Sequence, residues 1–113
     1  METKEFEEFK QKIKRIQQER KELDDKERAV CKEYMTRIVE TLKTEKNIEE
    51  GDLIEYRNRT YLCSRIDVAF GGWVGLWARR MYDGKPMFRA GLIIQDRDVS
   101  DLFNNVKLIK KGK

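Results

Sequence analysis

The chain has no histidine. Histidine is the usual acid–base group at neutral pH and a usual zinc ligand, so its absence argues against an enzyme and against a zinc module. Only two cysteines occur, Cys31 and Cys63. They are too few for a disulfide framework and read as two buried thiols of a reducing compartment. The single proline is Pro86, and no glycine or proline precedes Gly51. Nothing in the first fifty residues is therefore chemically opposed to helix. No apolar run approaches the roughly 20 residues of a membrane span. The start, Met1–Glu2–Thr3–Lys4–Glu5, is followed by no apolar stretch of the kind a signal peptide needs. These absences lead to the expectation of a soluble cytoplasmic protein, in the host cytoplasm if it is of phage origin, with no cofactor and no metal site.

Charge is what the chain has in excess. Charged residues make up 41% of it, unevenly distributed. Residues 1–50 hold 13 Lys/Arg and 14 Asp/Glu, whereas residues 51–113 hold 12 and 7. The first half is a near-neutral polyampholyte and the second half is basic. A basic domain fits nucleic acid or an acidic protein as partner, and equally an ordinary solvated surface.

Residues 1–50 read as a helical arm. Phe6, Phe9, Ile13, Ile16, Leu23 and Val30 recur at intervals of three and four or their sums, the rhythm of a coiled-coil seam. These six are the candidates for self-association. Arg20 and Glu27 fall on the same stripe and interrupt it. Past Tyr34 the apolar face widens to include Met35, Ile38, Val39 and Leu42, as suits packing against a domain. Two arrangements satisfy this pattern. One is a single long helix; the other is a hairpin that breaks near Leu23–Glu27, with Asp24 capping a second helix.

Residues 51–113 read as a small domain of five strands. The expected strands are 53–57, 60–68, 73–80, 87–95 and 106–110, with a helical turn at 98–103 and a free tail at 111–113. Tyr61 and Cys63 share a strand face, but Ile66 and Val68 fall out of phase with them, which predicts a bulge near Ser64–Arg65. In the third strand, alternation assigns Val74, Leu76 and Ala78 to the core. Trp73, Gly75, Trp77 and Arg79 take the other face.

Gly51–Asp52–Leu53–Ile54–Glu55–Tyr56, followed by Thr60–Tyr61–Leu62–Cys63, resembles the opening hairpin of SH3-like barrels. The helical turn before Val106–Lys107–Leu108–Ile109 is similar to theirs as well. The resemblance extends to bacterial and phage proteins and to the KOW and Tudor groups that carry this barrel. It covers residues 51–110 at the level of topology. It implies an α+β chain in which the helical arm precedes a five-stranded SH3-like barrel, and it implies no particular activity.

The chemistry-bearing candidates are Arg65, Phe70, Trp73, Trp77, Arg79, Arg80 and Arg89. Indole faces stack on bases and guanidinium groups grip phosphates. Tryptophan and arginine also anchor protein interfaces. A third use is internal, with the tryptophans packed under the arm. Phe70–Gly71–Gly72 lacks the lysine and the following helix of a phosphate loop and reads as an aromatic-tipped hairpin. Asp67, Asp83, Asp96, Asp98 and Asp101 are scattered and fit turns and caps rather than a metal site. The expected function is a non-catalytic protein-binding module, a small phage or bacterial regulator that occupies a partner's surface. Nucleic-acid binding through the aromatic–basic face and a coiled-coil assembly role are the alternatives. The seam allows a homodimer through residues 1–50, and the hairpin arrangement allows a monomer.

Overall fold

The structure is a computed structural model that describes residues 2–112. The chain forms two compact units, Met1–Val30 and Cys31–Lys113. The described residues of the first all belong to helix α1, Glu2–Thr41. This helix is continuous through Leu23–Glu27, so the hairpin arrangement does not occur. Asp24 sits mid-helix, where the surrounding Glu, Lys, Arg and Leu residues favour continuation over capping.

The helix ends by widening into a π-turn at Leu42–Lys46. Asn47 then adopts a left-handed conformation with φ of 58°. Its N–H donates to the Lys43 carbonyl, and the Ile48 N–H donates to that of Leu42. This closure satisfies carbonyls that a helix end leaves unpaired. It also turns Ile48 inward beside Leu42, and both are almost fully buried.

Six strands follow. They are β1 (Leu53–Tyr56), β2 (Arg59–Ala69), β3 (Trp73–Tyr82), β4 (Lys85–Pro86), β5 (Gly91–Asp96) and β6 (Lys107–Lys110), with helix α2 (Ser100–Asn105) before the last. All pairings are antiparallel, in the order β4-β3-β2-β1-β6, with β5 also on β3. The SH3-like barrel expectation is corrected here. Among the described residues no ladder joins β6 to β4 or β5, so the sheet is open, with six strands rather than five. Its apolar side is instead completed by Ile38, Leu42 and Ile48, which share one core with Ile54, Tyr56, Leu76, Ile94 and Val106. Apolar surface that a barrel would bury by closing on itself is buried here under a helix end.

Local chemistry fixes the registers. The β1–β2 turn is Arg57–Asn58, with φ of 50° and 63°, the paired left-handed geometry of a two-residue hairpin. It lies one residue earlier than Asn58–Arg59, the gap between the expected strands 53–57 and 60–68. The β2–β3 register shifts between Cys63 and Arg65, which confirms the bulge and returns Ile66 to the core side. Val74, Leu76 and Ala78 are buried as alternation predicts.

The strand expected at 87–95 divides. Residues 87–90 are not strand, and Phe88 is 90% exposed. Lys111 and Gly112 are not a free tail. Lys111 Nζ donates to the Asn47 carbonyl and to the carboxylates of Glu49 and Asp52, and the Gly112 N–H donates to Asp52. No described helix is long and apolar enough to cross a membrane.

Candidate functional site

Two surfaces gather the residues that the sequence singles out. The first is the outer face of β2, β3 and β5. Trp77 of β3 lies opposite Arg65 of β2 and opposite Leu92 of β5. The Arg65 guanidinium stacks on the Trp77 ring at 4.4 Å from its centroid. Its Nε also donates to Asp67 at 3.0 Å. Two residues earlier on the same face is Gly75. A Cβ there would come within 2.8 Å of Leu92 Cδ1 and 3.7 Å of the Trp77 indole nitrogen. Glycine at this point lets Leu92 and Trp77 lie down on the sheet.

Trp73 continues the face at the start of β3 and is 38% exposed. Arg97, just past β5, covers its ring at 4.7 Å. Gly71 lies against the same pair, since a Cβ there would sit 3.4 Å from Trp73 and 3.9 Å from Arg97. The two tryptophans thus form two cation–π stacks in one row, Arg97 on Trp73 and Arg65 on Trp77. Such stacks contribute about 0.5–1 kcal/mol each at exposed sites. Neither indole belongs to the buried core. Arg97 was missed from sequence because Asp96–Arg97–Asp98 reads as an acidic turn. Those aspartates cap local N–H groups, Asp96 those of Arg97 and Asp98, and Asp98 that of Ser100.

The remaining candidates are placed apart. Arg79 shares the parity of Trp77, but its Nε donates to the Met87 carbonyl and braces the 87–90 segment. Arg80 has the opposite parity and stacks on Tyr82 at 4.6 Å. Arg89 is exposed within the 87–90 segment, and Phe70 is exposed at the loop before β3. The structure therefore brings Arg65, Trp73 and Trp77 together, adds Arg97, and leaves Arg80 and Arg89 off the row.

The second surface is the α1 stripe. Phe6, Phe9, Ile13, Ile16, Leu23 and Val30 are all large, apolar and 50–64% exposed. Lys12 lies over the Phe9 ring at 5.7 Å, its stem covering part of the stripe.

Ionisable groups elsewhere serve the fold. Burial pushes the Tyr56 hydroxyl up, reinforced by its short hydrogen bond to Asp101. That bond, followed by the one from Asn105, holds Asp101 below the usual carboxylate range, so the pair ties β1 to α2. Burial pushes the Cys63 thiol up to about 11. Cys31 is half-buried rather than buried, and its thiol points at the Ala69 carbonyl at 3.6 Å. A cavity of about 160 Å³ lies among Met35, Val39, Leu42, Ile48, Cys63 and Ile66. Ligand pockets for drug-sized molecules run to roughly 300–1,000 Å³, so this one is small. Among the described residues no group of three His, Cys, Asp or Glu could hold a metal ion.

Comparison with protein-family models finds no match, comparison with curated proteins finds none, and comparison with solved structures finds none.

Proposed function

We propose that the chain is a non-catalytic assembly component that associates with itself through the α1 stripe. One observation supports this most: six large apolar side chains stand half exposed or more along one face of a 40-residue helix. Such a stripe on a helix is unstable in water without a partner. Covering the exposed parts of these side chains on two helices contributes roughly 10–20 kcal/mol by area bookkeeping. Association costs about 4–15 kcal/mol, so the surplus is modest and the assembly concentration-dependent. Placing a charge in the seam tests the reading. Ile13→Asp with Ile16→Asp yields a monomer at concentrations where the parent chain associates. Equal masses for the two proteins contradict it.

A second reading concerns the sheet unit, and the Arg97–Trp73 and Arg65–Trp77 row favours it. Arginines stacked on partly exposed indoles combine cation and aromatic surface, a pairing suited to single-stranded nucleic acid, although Arg65 Nε already donates to Asp67. Binding of an oligonucleotide would weaken steeply with salt. Arg65→Ala with Arg97→Ala lowers that affinity, and an oligonucleotide that fails to bind at low salt contradicts the reading. A protein held by the same row is then the remaining use of the face. Pull-down from native lysate, with and without nuclease, separates the two partners.

A further inference from the structure

The geometry points to an antiparallel pairing of two α1 helices, in one register; we infer this on the self-association reading above. The core positions of the stripe alternate in two series. Phe6, Ile13, Arg20 and Glu27 form one, seven residues apart; Phe9, Ile16, Leu23 and Val30 form the other. The two charged members decide the orientation.

In a parallel, in-register pair, each core residue faces its own copy. Arg20 then faces Arg20 and Glu27 faces Glu27, inside the seam. The flanking positions do not compensate, since Lys12 meets Gln17 and Glu19 meets Asp24. Like charges at such close quarters repel and are unfavourable inside a seam.

An antiparallel pair mixes the two series, and one register fits. Arg20 lies beside Leu23 of the second copy, Ile13 beside Val30, and Phe9 beside Tyr34. Ile16 then lies beside Glu27 of the second copy, which is about 6 Å along the axis from Arg20 at a rise of about 1.5 Å per residue. Helical side chains lean toward their own N-terminus, so in opposed helices Arg20 and that Glu27 lean toward each other. The same register flanks the seam with Glu19 against Lys26 and Lys12 against Glu33. Two-fold symmetry repeats each of these pairs.

Sliding by one heptad destroys this match in either direction. One slide sets Glu19 against Glu19 and Lys12 against Lys26. The other sets Lys26 against Lys26 and Glu19 against Glu33. Charge complementarity therefore selects one occupant, a second copy of this chain, and one register. Every position it uses, from Phe9 to Tyr34, is exposed on the helix surface.

Disulfide trapping in the full-length chain tests this. Ile13→Cys and Val30→Cys are introduced together with Cys31→Ser; Cys63 stays, because its thiol is buried. After mild oxidation, peptide mapping is expected to find intermolecular links between positions 13 and 30. Links of 13 to 13 and 30 to 30 overturn the antiparallel inference and leave self-association intact. A dimeric mass with no link overturns the register. A monomeric mass before oxidation overturns the assembly reading itself. A second measurement uses charge reversal. Glu19→Lys is expected to raise the dissociation constant about tenfold, from two lost attractions and two new repulsions. Adding Lys26→Glu is expected to restore it. A double variant as weak as the single one overturns the pairing.

Discussion

Lys111 Nζ lies 2.6 Å from the buried carboxylate of Asp52, and this contact fastens the end of the described chain to the loop that leaves the helix. Asp52 also accepts the N–H groups of Glu49 and Gly112, both at 2.8 Å. Burial alone would push the Asp52 carboxyl up. Lys111 and the two N–H groups outweigh burial and hold it below the usual carboxylate range. A depressed carboxyl contributes stability that is fully present above its unfolded value, about 3.9. That contribution is lost as pH falls through the folded value. Urea unfolding should therefore show stability dropping below about pH 4, with a shallower drop in Asp52→Asn. Lys111→Met is expected to destabilise the fold at neutral pH, because it strips a partner from a buried charge.

Gly112 belongs to the same lock. A Cβ there would fall 2.2 Å from the Gly51 carbonyl oxygen and 2.7 Å from its carbon, backbone against backbone. At Gly75 the obstacle is only the flexible end of Leu92. Gly112→Ala is therefore expected to abolish the lock and lose most of what Lys111→Met loses. Gly75→Ala is expected to shift Leu92 at a cost of about 1 kcal/mol or less. Denaturation midpoints of the two variants decide the order.

The thiols should react in sequence. Cys63 is buried with its thiol raised to about 11, so almost none is thiolate at neutral pH. Cys31 is half-buried. A thiol reagent is expected to modify Cys31 in the folded chain and to reach Cys63 only in denaturant. Modification of both at one rate in buffer would contradict the packing around Cys63.

The tryptophan row has a spectroscopic signature. Removing the guanidinium from one indole alters its surroundings without touching the buried core. Arg65→Ala and Arg97→Ala are each expected to shift the fluorescence of the native chain, with stability changed by about 1 kcal/mol or less. Unchanged spectra in both variants would contradict the stacking.

Much of this was legible in the sequence, and the failures have physical causes. Helix in the first half follows from fifty residues without glycine or proline, but its unbroken run through Leu23–Glu27 does not, since a hairpin fits the same pattern. The bulge follows from Ile66 being out of phase with Cys63. Alternation assigned Val74, Leu76 and Ala78 correctly because one face of β3 is buried. Closure of the sheet was not legible. It depends on what covers the apolar side, and Ile38, Leu42 and Ile48 do so from outside the strand pattern. Arg97 was hidden because an arginine between two aspartates carries no sign of the ring it will cover. The 87–90 segment misled because Met87 and Phe88 are apolar, yet Phe88 is left in solvent and Met87 is held by its carbonyl rather than its side chain.

The central claim is that the exposed seam of α1 is covered by another copy of the chain. Sedimentation equilibrium of the unmodified protein over a wide concentration range tests it most directly. The mass is expected to rise with concentration toward twice the 13.6 kDa of one chain. A mass that stays at one chain throughout the range would contradict it.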